Sequence, residues 1–136
     1  MASYVKFYSF VEALAEKKHD LGSDTLTVFL TNSAPAQSNT VLANITQISY
    51  ANCSTRVVTV SASSQTSGTY KLVCTDLVLT ASGGTVGPFQ YVGIYNDTAT
   101  NDELICYFDY GAALTLQSGE TFTIDFDGTN GLLQIA

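Results

Sequence analysis

The chain ends GETFTIDFDGTNGLLQIA (residues 119–136), and two patterns in that stretch decide how the rest is read. TFTIDFD (121–127) alternates strictly, with Phe122, Ile124 and Phe126 on one side and Thr121, Thr123, Asp125 and Asp127 on the other. That is the period of a half-buried β-strand. Leu132, Leu133, Ile135 and Ala136 then close the chain where a polar tail is usual, so a terminal strand in a sheet or against a neighbouring subunit is expected. DGTNG supplies turn residues between the two, which predicts a hairpin. In that pairing Leu133 and Ile135 join the layer of Phe122, Ile124 and Phe126, while Leu132 and Ala136 face a second subunit.

The same period extends upstream. ALTLQ (113–117) and ELICYFDYG (103–111) are predicted as separate strands. FQYVGIYND (89–97) is apolar or aromatic on both faces, Phe89, Tyr91 and Tyr95 against Val92 and Ile94, which predicts a strand covered on both sides. In TYKLVCTDLVLTA (69–81) Tyr70, Leu72 and Cys74 share one phase and Leu77 and Leu79 the other, so a β-bulge is expected near Thr75 and Asp76. RVVTVSA (56–62) is a strand and SSQTSG (63–68) a turn; SGGTVGP (82–88) is a loop. Leu26, Val28 and Leu30 alternate with Thr25, Thr27 and Thr31 as in a half-buried strand. Residues 33–55 mix Pro35 with Asn and hydroxyl residues and predict a long loop with one strand near Ile45 to Tyr50. Phe7, Phe10, Val11 and Leu14 recur at helical spacing in VKFYSFVEALAEKK (5–18), with Lys17 and Lys18 in the last turn. About eight strands and one N-terminal helix predict a mostly β fold, an antiparallel β-sandwich or barrel. It forms one domain over residues 1–136, with a helix or arm in 1–20 and the sandwich in 24–136.

Composition narrows the function. Charged residues are 12% of the chain, about half the usual share, while 31 of 136 residues are Ser or Thr. Twelve acids against five bases leave a net charge of −7, which argues against nucleic acid as partner. Three of the five bases, Lys6, Lys17 and Lys18, fall in the first 18 residues, the one positive region of an acidic chain. The longest uninterrupted apolar run is LICYF (104–108), far short of a membrane helix, and the N-terminus has no secretory pattern, so no membrane partner is expected. Cys53, Cys74 and Cys106 have neither disulfide nor zinc spacing and are expected to be buried thiols.

The patterns that carry chemistry are weak. His19 is the only histidine, and it lies beside Asp20 at an expected helix end, so a residue complementing the helix dipole is the simpler reading than a catalytic base. SGGTVG lacks the spacing of a phosphate loop. DFDGTNG begins like a calcium loop with Asp125, Asp127 and Asn130, but the bidentate acid would fall at Ala136. Glu103, Asp109 and Glu120 lie in or beside strands without a spacing that singles out a glycosidase pair. Sequons at Asn44, Asn52 and Asn96 match chance at this Ser/Thr content. No catalytic, metal or cofactor residue is assigned, and the expectation is a protein that is not an enzyme.

Eight Tyr and seven Phe remain, more than one core face hides, which points to subunit contact. HDLGSDTLTVFLTNSAP (19–35), GPFQYVGIYND (87–97) and YFDYGAALTLQSGETFTIDFDGTNGLLQIA (107–136) resemble, in that order, small virion structural proteins of tailed bacteriophages. Residues 37–85 carry no part of the likeness. The resemblance implies a capsid decoration or cement protein, made in the host cytoplasm and working on the virion. Its partners would be the major capsid protein and copies of itself, in a homotrimer. The oligomer-interface candidates are Phe89, Tyr91, Tyr95, Tyr107, Leu132 and Ala136; the capsid-docking candidates are Lys6, Lys17 and Lys18. The alternative is a carbohydrate- or receptor-binding β-sandwich of a tail fibre or spike.

Overall fold

The computed structural model describes residues 3–136. Ten strands and one helix follow in chain order: β1 (Ser3–Lys6), α1 (Ser9–Ala15), β2 (Leu26–Thr31), β3 (Val57–Val58), β4 (Val60–Thr66), β5 (Thr69–Cys74), β6 (Leu77–Thr80), β7 (Val86–Asn96), β8 (Leu104–Leu116), β9 (Thr121–Ile124) and β10 (Leu133–Ile135). Every strand pairing is antiparallel. A five-stranded sheet of order β1-β8-β7-β2-β3 faces a layer made of a three-stranded sheet, β10-β5-β4, and a two-stranded one, β6-β9. The sheets stay open, so the architecture is sandwich-like rather than a closed barrel. Among the described residues, no helix is long and apolar enough to cross a membrane.

The main core lies between the layers. Leu26, Val28 and Leu30 of β2 and Val92 and Ile94 of β7 meet Leu72 of β5, Leu79 of β6 and Ile124 of β9 there. Phe126, Leu132 and Leu133 complete that core, as the alternation of TFTIDFD and the apolar ending lead one to expect. A second, smaller core covers the opposite face of the large sheet, where Phe7, Phe29, Ile45, Tyr95 and Leu104 pack together. Phe29 stands directly opposite Gly93 in the β2–β7 pairing, and its ring occupies the place a Cβ at position 93 would take. Only glycine at position 93 leaves room for the ring there.

That second core corrects several expectations. β2 is buried on both faces, Thr27 and Thr31 included, because residues 33–55 fold across it instead of adding a strand. This segment holds a short 3₁₀ turn at Leu42–Asn44 and two isolated bridges, and the Ile48 N–H, the Thr46 carbonyl and the Tyr50 hydroxyl bond to β2 along its edge. The Tyr50 hydroxyl accepts a hydrogen bond from the Leu30 N–H at 2.9 Å, while the Arg56 guanidinium lies 3.6 Å from the Tyr50 ring centroid and donates to the Val28 carbonyl. Thr31 donates to the Thr46 carbonyl, so its buried hydroxyl is satisfied.

Other boundaries move because the chain changes sheets. β3 pairs with β2, and after Thr59 the chain enters the facing layer as β4, which pairs with β5. The expected bulge at Thr75 and Asp76 is a second crossing, where β5 leaves its sheet and β6 pairs with β9; the phase slips because the partner changes. The turn in SSQTSG shrinks to Ser67 and Gly68, both at positive φ. The two strands read from ELICYFDYG and ALTLQ are one, β8. β9 and β10 do not form a hairpin: β10 pairs with β5, and Gly131, at φ 83, brings the backbone onto the Leu72 carbonyl, which accepts from the Leu132 N–H. Leu132 therefore joins Leu133 inside, while Ile135 is 40% exposed.

The N-terminal helix is shorter than its periodicity. Residues 3–6 extend as an edge strand on β8, and Phe7 packs into the second core. Val11 is exposed. α1 ends at Ala15, with Lys17 N–H bonded to the Leu14 carbonyl and Lys18 N–H to the Ala13 carbonyl, a Schellman closure. The two lysines thus lie beyond the last turn, and Lys17 takes φ 67 where glycine is usual. Replacing Lys17→Gly should stabilise the protein by about 1 kcal/mol, the ordinary cost of a side chain in left-handed backbone. Gly93→Ala should destabilise it by about 3 kcal/mol or more, since the Phe29 ring has nowhere to go in a filled core. Urea denaturation of both variants checks the two signs.

An aromatic groove at the mouth of the sandwich

Where β1 and β8 form one margin of the large sheet, the two layers part and leave a groove of about 650 Å³. Its floor is continuous with the main core through Val92, Ile124, Phe126 and Leu132. One wall is the cross-strand pair Tyr4 and Phe108, rings edge-to-face at 5.6 Å. The other is Tyr110 over Phe122 at 5.3 Å, and Phe122 in turn meets Phe89 at 5.4 Å. Tyr4 and Tyr110 are 41% and 53% exposed, so this aromatic surface faces solvent.

A local irregularity sets Tyr110 in place. Tyr91 pairs with Asp109 and Phe89 with Leu114, so Gln90 alone on β7 faces residues 110–113 on β8. The surplus residues bulge outward around Asp109, whose Oδ1 accepts from the Gly111 N–H at 2.7 Å and from Gln90 Nε2 at 3.0 Å. Asp125 and Asp127 form the polar rim. The Asp127 carboxyl is held below the usual carboxylate range by the Asn130 N–H, then by the Asn130 side-chain amide and the Thr129 N–H. Asp127 is therefore anionic at neutral pH. DFDGTNG is thus a self-capped turn: Asp127 spends its oxygens on its own backbone and on Asn130.

Several interface candidates lie elsewhere than expected. Phe89, Tyr95 and Leu132 are buried within the protomer, Leu132 on the floor of the groove. Of the aromatics in FQYVGIYND, Phe89 is taken up by the main core and Tyr95 by the second. Tyr91 and Tyr107 are half-buried and face each other at 6.4 Å, and Ala136 is exposed. Tyr4, Phe108, Tyr110 and Phe122 were not singled out by sequence; only the alternation of β9 pointed to Phe122, and it placed that residue in the core.

Of the docking candidates, Lys17 and Lys18 line a second cleft of about 420 Å³ together with Asp20, Asp24 and Glu103, while Lys6 lies on β1. His19, expected to complement the helix dipole, lies past the end of α1 and is buried. Cys74 and Cys106 are buried as expected, whereas Cys53 is half-exposed. Burial pushes the Cys74 thiol up to about 11, and Cys106 higher still, with Cys74 adding to the shift. These thiols pack; they are not nucleophiles at neutral pH. The carboxylates of Asp109 and Glu120 are engaged in local structure, Glu120 Oε1 accepting the Gln117 N–H and Asp109 anchoring the bulge, whereas Glu103 is buried beside the second cleft.

Asp109→Ala should cost about 1–2 kcal/mol, because two donors lose a charged acceptor, whereas the exposed Tyr110→Ser should cost at most about 1 kcal/mol. Equal denaturation midpoints for the two variants would contradict this account of the bulge. Comparison of the chain with family models, with curated proteins and with solved structures finds no match.

Proposed function

We propose that the protein is an accessory structural component of a tailed-phage virion, a decoration protein that oligomerises and bridges major capsid proteins. The observation that carries this reading is the groove: an aromatic surface, open to solvent, that continues the protein's own core. Burying such a surface against a protein partner releases water from four rings at once. The resemblance of residues 19–35, 87–97 and 107–136 to small phage virion proteins gives the reading its setting. A neutral, hydroxyl-rich exterior suits contacts repeated by symmetry, where many modest interfaces add avidity. On this reading Tyr4 and Tyr110 meet a second copy in a trimer, the shell-facing surface includes Lys6, Lys17 and Lys18, and no catalysis is involved.

A second reading draws on the same groove. Aromatic rings beside the carboxylates of Asp125 and Asp127 would also suit a carbohydrate, ring faces against C–H groups and carboxylates accepting hydroxyls, as in a receptor-binding module of a tail fibre or spike. The experiment that separates the two pairs sedimentation with a glycan array, using wild type and the double variant Tyr4→Ser, Tyr110→Ser. The decoration reading expects a wild-type species of about three times the 14.5 kDa chain mass that rebinds stripped capsids, and a double variant that is folded and monomeric. A wild-type monomer that ignores capsids and binds a glycan, with binding lost in the double variant, would replace it with the second reading.

A further inference from the structure

The second cleft contains a buried polar node that the groove does not explain. Asn96, fully buried at the end of β7, accepts the Thr98 and Ala99 N–H groups on Oδ1 at 3.0 and 3.1 Å. Those bonds fix which way the amide points. Its Nδ2 therefore faces the N-terminal arm, where it donates to Asp24 Oδ2 at 2.6 Å and to His19 Nδ1 at 3.0 Å. A ring nitrogen that accepts carries no proton, so the neutral imidazole holds its hydrogen on Nε2. His19 is 6% exposed and Glu103 7%; His19 Nε2 and Glu103 Oε2 are buried with no hydrogen-bond partner among the described residues. The ring of Phe10, from α1, lies 5.3 Å from the imidazole.

We propose that His19, Asn96 and Asp24 form an acid-sensitive clasp that fastens the N-terminal arm to the turn following β7. A proton arriving at Nδ1 sets an N–H against the Asn96 Nδ2 donors, and the bond between them is lost. Asn96 cannot turn its oxygen toward the ring without releasing the Thr98 and Ala99 N–H groups. The charged groups around the imidazole are Lys18 and Asp24 on its own loop and Glu103 just ahead of β8, with Lys17 and Asp20 along the adjoining cleft. α1 contributes Phe10 and β7 contributes Asn96, neither of which titrates.

Burial disfavours the imidazolium more than Glu103 and Asp24 favour it, so His19 titrates below its ordinary value of 6.5, with Lys18 adding to the lowering. A histidine with a depressed folded-state pKa contributes stability that is present above 6.5 and lost as pH falls through the folded value. Each unit of depression is worth about tenfold in the opening equilibrium once the pH is below both values.

Because His19 is the only histidine, its ¹⁵N imidazole resonances are unambiguous. The full-length protein, titrated by NMR from pH 8 to 4.5, should show the Nε2–H tautomer and a midpoint below 6.5. Hydrogen exchange, corrected for intrinsic rates, should show residues 8–24 losing protection at least about threefold more than β7 between pH 7.5 and 5. His19→Asn keeps an acceptor where Nδ1 stood but does not titrate; it should abolish that extra loss even if its baseline stability is lower. An Nδ1–H tautomer, a midpoint at or above 6.5, or the same pH profile in His19→Asn would each overturn the clasp, and the wild-type titration decides even if the variant fails to fold.

Discussion

The ring of Phe29 lying across Gly93 is the contact on which the architecture turns. A sandwich sheet ordinarily buries one face and wets the other. Here the missing Cβ lets an aromatic ring seat against the outer face of β7, and that ring gathers Phe7, Ile45, Tyr95 and Leu104 into a second core. The N-terminal arm and the irregular segment 33–55 are held by that core. With both faces of the large sheet committed, solvent-facing aromatic surface gathers at the mouth between the layers, where Tyr4 and Tyr110 stand, and Tyr8 is exposed apart from it.

Much of the fold was legible as alternation. The inward set of Phe122, Ile124 and Phe126, the two-sided character of residues 89–97 and the burial of Leu133 follow from period and hydropathy, which report burial. Partnership is a different quantity. The phase change at Thr75 and Asp76 was visible, but alternation says only that the chain shifts faces, not that it leaves one sheet for another. DGTNG has the composition of a hairpin turn, yet the partner of β10 is set by Leu72, sixty residues away in sequence. Thr27 and Thr31 looked solvent-facing because hydroxyls bury at little cost only when a carbonyl or carboxylate happens to be near, and those acceptors come from Thr46 and Asp97.

The groove was less legible than the fold. Its residues come from β1, β7, β8, β9 and the segment that follows β9, so no single stretch displays it, and Tyr110 reaches it through a bulge that alternation cannot anticipate. The aromatics divide among the two cores and the mouth: Phe10, Phe89 and Phe126 join the main core, Phe7, Phe29 and Tyr95 the second, and Tyr4, Phe108, Tyr110 and Phe122 line the groove. The clasp at His19 was hidden for a similar reason, since Asn96 is seventy-seven residues away and its amide is fixed by the turn that follows it.

The order of the strands also governs when the molecule can fold. β1 precedes every other strand of the sandwich, yet among the described residues it pairs with β8, about a hundred residues later, and β2 waits for β7. Local hairpins such as β4–β5 close early, whereas the large sheet assembles only after residue 116 has emerged. Contacts so distant in sequence impose a slow search, and the arm must stay unpaired while the rest of the chain is synthesised. Abundant hydroxyls, which suit a waiting chain to water, are then as much a requirement of the nascent chain as of the folded protein.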